Sequence, residues 1–134
     1  MKLLNVTKTQ STLLKLAEAG VGIALDDFGE GYSSYGRLIK LPFQTIKIGR
    51  NAAQKHLASR EGMNALVRLA RYASQHKKEI VVEGIESKEQ VNVLVRLGIS
   101  KIQGFVFSRP LPEQAFLQYV RDHHQLTSEG RTVA

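Results

Sequence analysis

Apolar and polar positions recur along the chain with two different periods, and the changes of period divide it into elements. From about Val6 to Ala19, Val6, Leu13, Leu14, Leu16 and Ala17 recur at loose helical spacing, which predicts a helix stopped by Gly20. Val21 to Leu25 is then a nearly unbroken apolar run, the pattern of a parallel strand buried on both faces. It ends in Asp26-Asp27-Phe28-Gly29-Glu30-Gly31, whose glycines predict a tight loop, and Ser33 to Lys40 is read as a short helix before Leu41-Pro42. Thr45 to Ile48 reads as a second strand. Gly62 to His76 places Met63, Leu66, Val67, Ala70 and Ala73 on one helical face, with Arg68, Arg71 and Gln75 elsewhere. Glu79 to Gly84 is a third strand, and Ser87 is placed to cap a helix carrying Val91, Leu94 and Val95. A fourth strand follows between Ile99 and Phe107, and Pro112 opens a last helix with Phe116, Leu117 and Val120.

Strands are thus expected near residues 21–26, 45–48, 80–83 and 101–106, each followed by a helix. Crossovers of that length imply parallel pairing and an α/β fold. Periodicity alone does not choose between a doubly wound sheet and a barrel. The sequence has no Gly-x-Gly-x-x-Gly after the first strand and no Walker-type Gly-Lys-Ser/Thr, which disfavours the nucleotide-binding doubly wound folds.

Length and composition narrow the classes. The 134 residues suffice for one domain with a hydrophobic core, and an apolar fraction of 43% is ordinary globular usage. Without cysteine, disulfides, thiolate zinc sites and thiol nucleophiles are excluded. That absence, with no signal-like N-terminus, leads to the expectation of a cytoplasmic protein and no membrane association. The net charge of +7 raises a nucleic-acid reading, but the basic residues are dispersed and Lys77-Lys78 is the sole adjacent pair. Solvated helix faces account for that distribution, so no nucleic-acid partner is expected.

The polar residues at the strands carry the chemistry. Asp26 and Asp27 end the first strand, Lys47 lies in the second, Glu83 ends the third and Gln103 lies in the fourth. In a parallel barrel such residues converge on the C-terminal mouth, where α/β barrels place their active sites. Two adjacent carboxylates and a third from a neighbouring strand offer oxygen ligands to Mg²⁺ or Mn²⁺. Such ions can activate water for displacement at a phosphodiester, with Lys47 orienting that water or neutralising phosphate charge. Taken singly, each residue has an ordinary structural reading. An Asp pair beside glycine is commonly a turn, and a strand lysine commonly snorkels from an edge. Glu83, following Val81-Val82, is harder to account for without a partner.

Asp26-Asp27-Phe28-Gly29-Glu30-Gly31-Tyr32-Ser33-Ser34 resembles the Asp-Asp-Phe-Gly-Thr-Gly-Tyr-Ser-Ser signature of EAL-family cyclic-di-GMP phosphodiesterases. Leu41-Pro42 with Ile46-Lys47-Ile48, then Val82 to Ser87 with Gln90, then Gln103-Gly104-Phe105 through Ser108-Arg109-Pro110, resemble further family motifs in the same order. The resemblance spans about Leu13 to Phe116. It implies that Asp26 and Asp27 are metal ligands and that Lys47 positions the catalytic water. It also implies that Glu83 belongs to the metal and water network, that Glu86 anchors the loop after Asp26-Asp27, and that Gln103 holds the water or its ligands. The implied reaction linearises cyclic-di-GMP to pGpG with Mg²⁺ or Mn²⁺.

The resemblance also implies a barrel of the (β/α)₈ type, which takes roughly 250 residues. This sequence matches its C-terminal half, about four βα units, and contains no Glu-Ala-Leu. The expectation is a half-barrel over residues 1–126 with a flexible tail at 127–134. Gly49 and Gln44 stand where the family pattern has Asp. Two readings follow: a phosphodiesterase fragment with weak or no activity alone, or a non-catalytic module that senses cyclic-di-GMP or docks a protein. Open strand edges further predict a homo-oligomer or a complementing protein segment.

Overall fold

A computed structural model describes residues 6–29 and 41–128. In chain order the elements are α1 (Val6–Glu18), β1 (Ala24–Leu25), β2 (Thr45–Ile48), α2 (Arg50–Leu57), α3 (Arg60–Gln75), β3 (Glu79–Val82), α4 (Lys88–Arg96), β4 (Lys101–Ile102) and α5 (Glu113–Ser128). The strands form one parallel sheet in the order β1-β2-β3-β4. Sequential order with helical crossovers is the wall of a (β/α) barrel, here with β1 and β4 as its edges among the described residues.

Alternation along the strands sorts the two faces of the sheet. Ile46 and Ile48 on β2 and Ile80 and Val82 on β3 point to the helices and are buried. They meet Ala52 and Ala53 of α2, Leu66, Leu69 and Ala73 of α3, and Val91 and Leu94 of α4 in one core. Burying a side chain such as Leu94 completely contributes about 1.5–3 kcal/mol. Thr45, Lys47 and Val81 fall on the opposite face and are only half-buried. That face is the barrel interior.

The helix boundaries have local causes. The Ser59 hydroxyl accepts from Gly62 N–H at 3.0 Å and the Ser87 hydroxyl from Gln90 N–H at 3.2 Å, so both serines cap their helices. At the other ends, α1, α3 and α4 close alike, with bonds from Val21 N to Leu16 O, Lys78 N to Ala73 O and Ile99 N to Leu94 O. The residue before each donor adopts a left-handed conformation. Two of them are glycines, but α3 uses Lys77 at φ 53°.

Several expectations need correction. β1 is shorter than 21–26 and is not buried on both faces: Ala24 is exposed and Leu25 half-buried, because this edge strand has an uncovered inner face. β4 stops at Ile102, and 104–107 form a turn. The buried stripe of α3 runs through Leu66, Leu69 and Ala73, whereas Val67 is exposed, as is Val95 of α4. Helix α2 was not predicted, because its buried face consists of two alanines. The expected helix at 33–40 lies outside the described residues.

Candidate functional site

The register brings three predicted residues to one end of the sheet. Leu25 pairs with Ile46, which sets Asp26 level with Lys47, and Ile48 pairs with Val82, which sets Glu83 one step beyond. Two backbone bonds hold this end: Phe28 N to Lys47 O and Glu83 N to Ile48 O, both 2.9 Å. Lys47 and Glu83 also share the parity of Thr45 and Val81, so both belong to the inner face.

On that scaffold Lys47 Nζ lies 2.7 Å from Glu83 Oε1 and 3.2 Å from Asp26 Oδ1. Lys47 bridges the strands on either side of it. The hydrogen bond to Glu83 and then that to Asp26 raise its pKa, against a smaller opposing effect of burial. The ammonium therefore stays charged across the physiological range. Glu83 is the most sheltered of the three and Asp26 the most open.

Asp27 is outside this ion cluster. It has φ 51°, a left-handed conformation that aspartate tolerates better than most residues, and its N–H donates to Asp26 Oδ1 at 3.1 Å. The turn it makes drops Phe28 into the core. Gln103 is held through its backbone, with N bonded to Val82 O and O to Ile85 N. Its side chain makes no hydrogen bond with Lys47 or Glu83 among the described residues and instead lines a neighbouring cleft with Arg50, Gly84 and Glu86.

Glu86 has a different neighbourhood. Arg50 Nη2 donates to its Oε1 at 2.5 Å. The loop that Glu86 was expected to anchor, at 30–40, lies outside the described residues. From Glu86 a chain of amides runs into the protein: its N–H donates to Gln90 Oε1 (3.1 Å), Gln90 Nε2 to Gln54 Oε1 (2.8 Å) and Gln54 Nε2 to Gly84 O (2.8 Å). This clasp ties α2 to the loop that follows Glu83. Gly84 lets it close, since at φ 70° a Cβ would fall 2.4 Å from Arg50 Cβ. Arg50 and Gln54 were missed from sequence because α2 itself was missed. The signal available was a charged residue directly after a strand-ending glycine.

The donor set does not by itself make a divalent-cation site. No three Asp, Glu or His side chains come close enough to hold an ion among the described residues. Mg²⁺ requires octahedral oxygen coordination. Here Asp26 and Glu83 already share the Lys47 ammonium. Gly49 adds no donor at the mouth. Gln44 stands at the other end of β2, where its Oε1 accepts from Ile23 N–H at 2.6 Å. Its departure from the family pattern therefore bears on strand pairing rather than on the mouth.

The family model for the EAL domain matches residues 3–110. The chain belongs to the EAL-domain family. It is 43% identical over 107 residues to the cyclic di-GMP phosphodiesterase RocR of Pseudomonas aeruginosa, covering 80% of this chain but only 27% of that protein. The EAL-domain protein of Listeria monocytogenes EGD-e superposes with a TM-score of 0.77 at 28% identity, over 91% of this chain and 49% of that one. A manganese and cyclic-di-GMP complex of BlrP1 from Klebsiella pneumoniae superposes with a TM-score of 0.69 at 31% identity, over 77% of this chain and 26% of that one. The chain thus spans about a quarter of the curated relative and half of the Listeria EAL protein. No helix of the described residues is long and apolar enough to cross a membrane.

Proposed function

We propose that this chain forms the C-terminal half of an EAL-type cyclic-di-GMP phosphodiesterase site, acts in the cytoplasm, and does not hydrolyse the nucleotide alone. The observation that carries the reading is the bridge from Lys47 to Asp26 and Glu83 at the C-terminal ends of three adjacent strands. The reaction cleaves one phosphodiester P–O bond of cyclic-di-GMP by water and gives pGpG. In it Lys47 orients the attacking water or meets the phosphate charge, Glu83 steadies Lys47, and Gln103 closes the side of the mouth next to the cleft. Asp26, Asp27 and Glu83 are the oxygen ligands this half contributes to Mg²⁺ or Mn²⁺, and Glu86 with Arg50 keeps the loop after Glu83 in place. The incomplete carboxylate set supports inactivity of the chain alone.

Calorimetric titration of cyclic-di-GMP with and without Mg²⁺, with chromatography of the products, tests this reading. Weak or absent binding without turnover is expected from the chain alone. Metal-independent, tight binding without turnover would favour a non-catalytic sensing module instead.

A further inference from the structure

Helix α2 begins where β2 ends, and one of its faces turns toward the loop that follows Glu83. Arg50 and Gln54, four residues apart, share that face. Arg50 pairs with Glu86. Gln54 Nε2 donates to the Gly84 carbonyl at 2.8 Å, and Gln54 Oε1 accepts from Gln90 Nε2 at 2.8 Å. The peptide between Gly84 and Ile85 is held at its other end too, where Ile85 N–H donates to Gln103 O at 3.1 Å. One peptide thus joins α2 to the residue after β4.

Glu83 lies directly before that peptide. Its own N–H is fixed by Ile48 O at 2.9 Å, so the backbone is held on both sides of the residue. Burial does not orient the carboxylate, whose side chain is 24% exposed. Gly84, at φ 70° and without a side chain, has wide backbone freedom unless an outside contact restrains it. The 2.7 Å approach of Glu83 Oε1 to Lys47 Nζ therefore depends on how the Gly84–Ile85 peptide is held.

We propose that Gln54 is a positioning residue of the mouth: it fixes the Gly84–Ile85 peptide so that Glu83 meets Lys47. The proposal rests on reading Lys47 and Glu83 as parts of the phosphodiesterase site. Gln54 acts through the backbone on either side of Gly84. A purely structural amide would satisfy the Gly84 carbonyl and leave the mouth unaffected. The two ends of this amide can be separated, because Gln54→Glu keeps an acceptor for Gln90 Nε2 but has no donor for Gly84 O. Gln54→Met has a similar length and provides neither.

The test follows the Lys47 ammonium by proton–nitrogen NMR in the full 134-residue chain at slightly acidic pH, with Lys47→Met assigning its signal. An ammonium held in an ion bridge exchanges its protons slowly enough to be resolved from exposed lysines. Gln54→Glu and Gln54→Met should each abolish the separate Lys47 signal. Each should also speed exchange of the Glu83 and Ile85 amides about tenfold or more relative to those of Leu66 and Leu69. Gln118→Leu, on α5, should leave both readouts unchanged. If neither Gln54 variant folds, the unsubstituted chain decides. On warming, its Gln54 side-chain amide and its Lys47 ammonium should lose protection together, before the Leu66 and Leu69 amides do. Variants that lose stability yet keep the Lys47 signal, or separate loss of the two signals on warming, would overturn the proposal. Neither nucleotide nor metal enters this readout. Formation of pGpG by the chain alone would therefore remove the reading of inactivity and leave Gln54 in its role, whereas an unmoved Lys47 signal removes that role and leaves the functional reading standing.

Discussion

Lys47 Nζ donates to Glu83 Oε1 at 2.7 Å, joining β2 to the residue that follows β3. The contact lies on the inner face of the sheet, where a closed barrel would hold its chemistry. Its charge balance shapes both the mouth and the response of the fold to pH.

The first prediction concerns that response. Lys47 has a folded pKa above its ordinary 10.5. A base shifted in this direction contributes its full stabilisation below the unfolded value and loses it as pH rises through the folded value. The stability difference between the native chain and Lys47→Met should therefore be constant from about pH 8 to about pH 10 and shrink above about 10.5. Urea midpoints across that range check it. A difference that persists or grows at high pH would contradict the ion bridge.

Lys77 gives a second prediction. It closes α3 at φ 53°, where a side chain costs roughly 1–2 kcal/mol. Lys77→Gly should raise stability by about 1 kcal/mol, less the entropy glycine adds to the unfolded chain, and lift the melting temperature by a few degrees. A lower melting temperature would mean that the Lys77 side chain makes a contact worth more than the strain.

A third prediction concerns the amide clasp. Gln54→Leu leaves the half-buried Gly84 carbonyl and Gln90 amide without their partner, and should cost about 1–3 kcal/mol. Gln118→Leu, which removes exposed hydrogen bonds to Asp122 and from Arg121 on α5, should cost about 0.5 kcal/mol or less. Denaturation of both variants gives the comparison. Equal effects would show that the clasp holds nothing.

What sequence could and could not reveal follows from where each signal resides. Asp26, Lys47 and Glu83 were legible because a carboxylate or ammonium next to a short apolar strand must lie at its end or on its inner face, and parallel register then brings the three together. The helices α3 and α4 were legible from apolar stripes and from the serines that cap them. Arg50 and Gln54 were not, because α2 packs through Ala52 and Ala53 and has no stripe to recognise. Val67 and Val95 looked like core residues, but each lies at the rim of its stripe, where packing rather than periodicity decides exposure. The apolar residues between Ile99 and Phe107 imitate a long strand, yet the close approach of Gly104 to Ile85 accompanies a turn. The burial expected for β1 came from its unbroken apolar run, which presupposes cover on both faces that this edge strand lacks.

The central claim, half a phosphodiesterase site that is inactive alone, is tested most directly by product analysis. The purified chain is incubated with cyclic-di-GMP and Mg²⁺ or Mn²⁺, and pGpG is measured by chromatography. No pGpG above the buffer control is expected, and Gly49→Asp should not restore it, since one added carboxylate still leaves the ion ligands incomplete. Robust pGpG production by the chain alone, abolished by Asp26→Asn or Glu83→Gln, would contradict the account.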